Sequence, residues 1–266
     1  MKLPLYQVDA FTDRLFGGNP AAVMPLPDWL PDSTLQALAA ENNLAETAFL
    51  VARDDGVHDL RWFTPTTEVQ LCGHATLASA FVLFRVLGHT ADSVEFDTLS
   101  GRLSVSDQGD RLWMSLPTAG AEACAAPELP AAALGMLAQA WYEGPNYMAL
   151  LASEAEVAAA APDMTLLGQV PARGLIVTAP ADDPQVDFVS RFFAPNFGIP
   201  EDPVTGSAHC MLAPWWAERL GKSRLRARQI SSRGGSLICE PKADRVHLGG
   251  TAVLYLQGEV FLPDAA

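Results

Sequence analysis

A carboxylate set in an apolar run is the first residue of this chain with obvious chemical reach. Glu46 lies in Leu44-Ala45-Glu46-Thr47-Ala48-Phe49-Leu50-Val51, a strand-like segment whose two faces both read as apolar. Burying an unpaired carboxylate costs several kcal/mol, so Glu46 must be paired, hydrogen-bonded or partly neutral. A group so placed is suited to moving protons near neutral pH. The alternatives are an edge-strand charge that blocks aggregation, or a residue still in the preceding loop.

Two short motifs carry the remaining candidates. Cys72-Gly73-His74-Ala75 and Thr205-Gly206-Ser207-Ala208 each stand at the entrance of a long apolar segment, and a glycine precedes His74 in one and Ser207 in the other. If these segments are helices, their starts carry unpaired N–H groups and partial positive charge. Each then offers an anion site without a basic side chain. The plainer alternative is that glycine only makes the turn, with His74 and Ser207 as caps. Asp202, before Pro203, either orients or protonates a substrate group or simply forms a turn. Cys72 at a helix start is a candidate thiolate base.

Metal and nucleotide signatures are missing. Cys72 with His74, or His209 with Cys210, are too few donors and lack a standard spacing. The glycine turns Gly17-Gly18-Asn19-Pro20 and Ser232-Arg233-Gly234-Gly235-Ser236 lack the strand, loop and lysine of a phosphate loop. We therefore expect no metal and no nucleotide.

The motifs fall in corresponding places because the second half of the chain repeats the first at an offset of about 130 residues. Arg61-Trp62-Phe63-Thr64-Pro65 recurs as Arg191-Phe192-Phe193-Ala194-Pro195. Gly18-Asn19 recurs as Pro145-Asn146, Ala48-Phe49-Leu50-Val51 as Gly174-Leu175-Ile176-Val177, and Asp110-Arg111-Leu112 as Asp244-Arg245-Val246. Two homologous lobes are expected, with a pseudo-twofold cleft where small-ligand sites are common. Glu201 matches Glu68, which points to a structural role for both. Asp202 matches Val69 and is particular to its lobe. The position equivalent to Glu46 falls near Ala172 or Arg173, and Thr205 stands opposite Cys72, so a two-thiol mechanism is not available there.

The elements that must hold these residues follow from apolar periodicity. Strands are expected at Leu3 to Val8, Ala21 to Leu26, Thr47 to Ala52, Leu60 to Phe63 and Leu112 to Leu116. Their second-lobe equivalents are Tyr147 to Leu151, Gly174 to Thr178, Asp187 to Phe193 and Leu237 to Cys239. Leu35 to Asn42 reads as a helix, and Pro130 to Ala138 and Glu154 to Ala160 as surface helices. His74 to Leu87 is apolar nearly all round and so reads as a buried helix. Ala208 to Leu220 is its partner, with Pro214 expected to bend or restart it. Each lobe becomes a curved sheet around one central helix. The expected division is 1–120 and 121–250, with a linker between Pro117 and Leu129 and a last strand, Thr251 to Leu262 within 251–266, that crosses back to the first lobe.

The 266 residues, 49% of them hydrophobic, suffice for real cores. A formal charge of −14 without a basic cluster argues against nucleic acid or an anionic membrane as partner. No membrane-spanning run or signal peptide is read, and the four separated cysteines are expected to be reduced thiols, so a cytoplasmic protein is expected.

Taken together, Val8-Asp9-Ala10-Phe11, Gly17-Gly18-Asn19-Pro20-Ala21, Asn43-Leu44-Ala45-Glu46-Thr47, Leu71-Cys72-Gly73-His74-Ala75-Thr76 and Glu201-Asp202-Pro203-Val204-Thr205-Gly206-Ser207-Ala208 resemble the phenazine-biosynthesis PhzF-like family, of the diaminopimelate-epimerase fold. The resemblance implies an α/β protein of two similar lobes with the site between them, and neither organic cofactor nor metal. In the phenazine enzyme of that family the glutamate matching Glu46 is the general acid/base in isomerising a dihydro-hydroxyanthranilate, and residues matching His74, Asp202 and Ser207 line the site. Related epimerases carry paired cysteines at the positions of Cys72 and Thr205, and this chain keeps one. The resemblance also implies a homodimer. The catalytic candidates are Glu46, Asp202 and His74; the substrate-binding candidates are Asn19, Cys72, Gly73, Ala75, Thr205, Gly206 and Ser207. The expected activity is a cofactor-independent isomerisation that moves a proton within a small carboxylate-bearing metabolite. The alternatives are a metabolite-binding or interaction module without turnover, and a one-cysteine racemase using Cys72.

Overall fold

In a computed structural model, residues 1–170 and 173–263 are described. The chain gathers into two compact units, Met1–Ser115 with the segment from Gly249 onward, and Leu116–Leu248.

The first unit is a mixed sheet. Lys2–Ala10 runs antiparallel to both Asn19–Leu26 and Ala252–Phe261. Asn19–Leu26 is parallel to Glu46–Ala52, which is antiparallel to His58–Phe63. His58–Phe63 is in turn parallel to Ser93–Thr98, and that strand is antiparallel to Gly101–Asp107. A parallel pair needs a crossover, supplied here by the helix Asp32–Asn42. Its Leu35, Leu38 and Ala39 pack with Met24, Leu26, Phe49 and Phe63.

The helix Gly73–Phe81 lies against the strands Lys2–Ala10, Asn19–Leu26 and Glu46–Ala52. Every residue from Gly73 to Ala80 is buried, as a helix with no polar face requires. Its two interior hydroxyls are satisfied locally: Thr76 Oγ1 donates to the Cys72 carbonyl at 2.6 Å and Ser79 Oγ to that of Ala75 at 2.8 Å. The helix continues as a wider π turn over Val82–Val86, where the Leu87 N–H reaches back to the Val82 carbonyl at 2.9 Å.

The second unit repeats this connectivity. Tyr147–Leu150 is parallel to Leu175–Pro180, which is antiparallel to Phe188–Ala194; the latter is parallel to Leu225–Gln229, which is antiparallel to Gly235–Lys242. The sequence of parallel and antiparallel pairings is the same in both units. The helix Gly206–Leu220 passes through Pro214 without restarting. Proline leaves the carbonyl four residues earlier without its helical donor, and here the Ala119 N–H fills that place on Cys210 at 3.0 Å.

Three expectations need correction. The segment Pro117 to Leu129 contains a strand, Glu122–Cys124, paired with Ala140–Glu143, so it is more than a linker. The helix expected over Pro130 to Ala138 spans Glu128–Leu134 and stops at Gly135 in the left-handed region. The buried helices start at Gly73 and Gly206 themselves, with Cys72 and Thr205 as extended N-caps, so neither His74 nor Ser207 is the cap.

Candidate active site

Local backbone chemistry sets Asn19 and Glu46 at the starts of neighbouring parallel strands. Asn43 closes the preceding helix in the left-handed conformation, φ 49°, and turns the chain into Glu46–Ala52. Glu46 then registers with Ala21 on the adjacent strand. Asn19 follows Gly18, whose φ is +62° and where a Cβ would lie 2.1 Å from the Ala10 carbonyl oxygen. Only glycine fits that turn. Glu46 stands on a strand flanked on both sides, which excludes the edge-strand and loop readings.

These strand starts meet the start of the Gly73 helix. His74 Nε2 lies 3.1 Å from Glu46 Oε2, His74 Nδ1 lies 3.0 Å from Asn19 Nδ2, and Cys72 Sγ lies 3.5 Å from His74 Nδ1. All four residues are buried, with exposures of 0% for Asn19, 9% for Glu46, 6% for Cys72 and 4% for His74. Gly73 and Ala75 complete the buried first turn.

Charge in this cluster is divided unevenly. Burial, reinforced by the Glu46 carboxylate, pushes the Cys72 thiol up to about 11, and the neighbouring imidazole only partly opposes this. A thiolate is thus not the resting form, because burial, with the carboxylate sharing the pocket, outweighs the helix start. Burial works against a charged His74, yet the neighbouring acidic groups lift its pKa well above the ordinary histidine value. The Asn19 amide N–H donates to His74 Nδ1, which places the ring proton on Nε2, facing Glu46 Oε2 beside the thiol, an arrangement able to hold and pass protons.

In the second unit the corresponding helix start is built differently. Thr205 Oγ1 donates to Asp202 Oδ2 at 2.5 Å, and the Thr205 N–H donates to Gln229 Oε1 at 2.9 Å. Gln229 Nε2 donates to the Asp202 carbonyl at 2.6 Å. Gln229 is fully buried and straps Asp202 to Thr205. Nothing in Leu225-Arg226-Ala227-Arg228-Gln229 marks it in advance, since the signal lies in its three-dimensional partners. Asp202 ends the strand Ile199–Asp202 opposite Phe192, just as Val69 pairs with Trp62. Gly206 is buried and Ser207 is exposed.

The repeated glutamates have a common structural task. Arg61 grips Glu68 through Nε and Nη2 at 2.7 and 2.8 Å, and Arg191 grips Glu201 through the same atoms at 2.7 and 2.9 Å. Bidentate pairing fixes both strands beside the helix starts. Of the two positions equivalent to Glu46, Ala172 lies outside the described residues; Arg173 stacks on Tyr147, 5.1 Å from its centroid.

The structure thus brings Asn19, Glu46, Cys72 and His74 together within the first unit, and Asp202 and Thr205 with Gln229 within the second. Cys72 and His74 are not an isolated donor pair: Glu46 adds a third potential metal ligand, and the three donor atoms lie within 4.8 Å of one another.

The sequence profile of the phenazine biosynthesis-like proteins, PhzC-PhzF, matches residues 8–258. An uncharacterised isomerase of Pseudomonas aeruginosa is 50% identical over 98% of this chain and 100% of its own. A crystal structure of a phenazine biosynthesis protein of the PhzF family from Enterococcus faecalis superposes with a TM-score of 0.94 at 45% identity, covering 98% of this chain and 100% of that one. A hydroxyproline epimerase from Agrobacterium vitis, at 12% identity and a TM-score of 0.64 over 97% of this chain and 92% of that one, shares the fold. The fold is diaminopimelate epimerase-like α/β. The chain belongs to the phenazine biosynthesis-like, PhzC-PhzF family, and its enzyme class is that of the isomerases.

Proposed function

We propose that this chain is a cofactor-independent isomerase that moves a proton within a small carboxylate-bearing metabolite, with Glu46 as the group that removes the proton from carbon and returns it at another position. The observation that carries this reading is the buried Glu46 carboxylate 3.1 Å from His74 Nε2. The site around Glu46 is buried, and His74 Nε2 faces the carboxylate, so a proton can be relayed between them without water. His74 also polarises the substrate. Asn19 fixes the imidazole through Nδ1. The N–H groups at the Gly73 and Gly206 helix starts bind the carboxylate and developing negative charge. Asp202, held by Thr205, orients the substrate, and Ser207 contributes to binding.

The Cys72 racemase reading is disfavoured by a thiol pushed up to about 11, which is neutral under ordinary conditions. The formal charge of −14 supports local dipoles as the means of holding an anion, and argues against a nucleic-acid or anionic-membrane partner. No helix among the described residues is long and apolar enough to cross a membrane. Homodimerisation is supported by exposed apolar residues on the strand Ala252–Phe261, where Tyr255, Leu256 and Phe261 stand at 47%, 40% and 68% exposure. Sedimentation velocity on wild type and Tyr255→Lys checks this, a monomeric wild type being the contrary result.

The function is tested by incubating the enzyme in deuterium oxide with a panel of small amino, hydroxy and cyclic carboxylic acids and reading isotope uptake by mass spectrometry. Uptake into one compound identifies the substrate class. A ligand that raises the melting temperature while no compound gains deuterium contradicts the reading in favour of a binding module.

A further inference from the structure

The segment Glu201-Asp202-Pro203-Val204-Thr205 is tied to the turn and strand beside it by two kinds of contact, one common to both units and one particular to the second. The common tie is a serine hydroxyl: Ser231 Oγ donates to the Pro203 carbonyl at 2.8 Å, and Ser100 Oγ donates to the Gln70 carbonyl at 2.7 Å. Because Glu201 matches Glu68, Pro203 and Gln70 are equivalent positions. The Gly234 N–H, on a turn at φ +64°, donates to the same Ser231 oxygen at 3.1 Å, which gives the glycine turn 232–236 a structural task. The particular tie is Gln229. Asp59 and Val189 stand two residues before the matching Arg61 and Arg191; Asp59 pairs with Asp97 and Val189 with Arg228, so Gln229 falls on Thr98. Thr98 Oγ1 turns instead to the Gly101 carbonyl at 2.7 Å. The glutamine thus stands in the unit where a carboxylate, Asp202, takes the place of Val69.

The proton directions around Gln229 follow from its backbone partners. The Thr205 N–H can only donate, so the atom 2.9 Å from it is the amide oxygen, Oε1; the Asp202 carbonyl can only accept, so the atom 2.6 Å from it is Nε2. Nε2 carries two protons, and the second goes to Thr205 Oγ1 at 3.2 Å. With that oxygen engaged by a donor, the single proton of the Thr205 hydroxyl goes to Asp202 Oδ2 at 2.5 Å. Gln229 is 0% and Thr205 6% exposed, so water does not compete for these bonds. We propose that Gln229 is a positioning residue for Asp202: by holding the Thr205 hydroxyl with its proton directed at Oδ2, it presents Asp202 to substrate as a hydrogen-bond acceptor in one fixed orientation. The coupling of Gln229 to Asp202 stands on this geometry; its consequence for turnover rests on the proton-transfer reading above.

The test is carbon-13 NMR of the full chain labelled at its aspartate side-chain carboxyls, with the Asp202 signal assigned by its loss in Asp202→Asn and followed through a pH titration without substrate. Thr205→Val removes the hydroxyl and should move the Asp202 midpoint upward by roughly one pH unit, the scale of a hydrogen bond to a charged group. Gln229→Met, which keeps the length of the side chain and loses its hydrogen bonds, should move it the same way, and the double variant no further than Thr205→Val alone. Ser231→Ala, which cuts the tie common to both units, should lower the melting temperature and leave the midpoint in place. The Arg191–Glu201 pair beside Asp202 is intact in every variant, so the midpoint reads the hydroxyl contact. Near-ultraviolet circular dichroism confirms folding, and Gln229→Asn, whose shorter amide falls away from Thr205, replaces a Gln229→Met that does not fold. An unmoved midpoint in the Gln229 variant, additive shifts in the double variant, or an equal shift in Ser231→Ala overturns the proposal. Once a substrate is known, Gln229→Met should lower the turnover rate for deuterium uptake at least about tenfold. No uptake by wild type would overturn the proton-transfer reading and leave the coupling standing; undiminished turnover in a variant whose midpoint has moved would overturn the positioning role.

Discussion

At the scale of single residues, the proposed acid/base group Glu46 is buried with the His74 imidazole 3.1 Å away. Glu46 and His74 are each costly to bury alone and tolerable as a pair. Replacing His74 by Asn leaves Glu46 buried without its imidazole partner, so His74→Asn should lower the turnover rate at least about 100-fold, the ordinary scale of a positioned acid/base partner. Cys72→Ala should keep turnover within about tenfold of wild type, because a neutral thiol contributes packing instead of base strength. Steady-state kinetics of the two variants separates these roles, and the reverse ranking would favour a cysteine mechanism. Glu46 was legible in the sequence because a carboxylate between apolar residues violates the strand pattern. The state of Cys72 was not legible, since it depends on a carboxylate distant in sequence, and Gln229 was hidden for the same reason.

At the scale of elements, the two buried helices share a device at their N-termini. The carbonyl of each N-cap accepts both the backbone N–H and the side chain of the residue four positions on: Thr76 Oγ1 at 2.6 Å on Cys72, and His209 Nδ1 at 2.7 Å on Thr205. His209 is fully buried, and burial lowers its pKa to about 4 against the carbonyl contact that favours the charged ring. Its folded value is depressed, so its contribution to stability is present in full above the unfolded value near 6.5. That contribution is lost as pH falls towards the folded value of about 4. It amounts to on the order of 3 kcal/mol. Melting temperature should therefore fall across this window, and His209→Asn, which keeps a donor but does not titrate, should flatten the fall. An unchanged profile would assign acid lability elsewhere. Gly18→Ala should destabilise by about 2 kcal/mol or more, because its Cβ meets the Ala10 carbonyl at a left-handed φ; urea denaturation measures this. The all-round apolar character of the Gly73 helix was readable in advance. The strands Ser93–Thr98 and Gly101–Asp107 were passed over because each shows only two inward apolar residues, Val94 with Phe96 and Leu103 with Val105.

At the scale of the whole chain, duplication was visible as recurring motifs, and the structure extends it to the order and direction of strand pairing and to the twin arginine–glutamate grips. What differs between the copies is chemical: Val69 against Asp202, Cys72 against Thr205, His74 against Ser207. Sequence comparison isolated those positions, but it did not reveal which partners each would find. The first unit also depends on the far end of the chain, since Ala252–Phe261 pairs with Lys2–Ala10 along its whole length. Removing the residues after Leu248 should strip that strand of a partner and abolish the cooperative melting of the first unit, measured by circular dichroism. A truncated chain with the wild-type transition would contradict this dependence. The central claim is proton transfer by Glu46, and it is tested most directly by single-turnover deuterium incorporation into the identified substrate by wild type and Glu46→Gln. The account predicts uptake by wild type and a loss of at least about 100-fold in the variant with ligand affinity retained; equal uptake by both would contradict it.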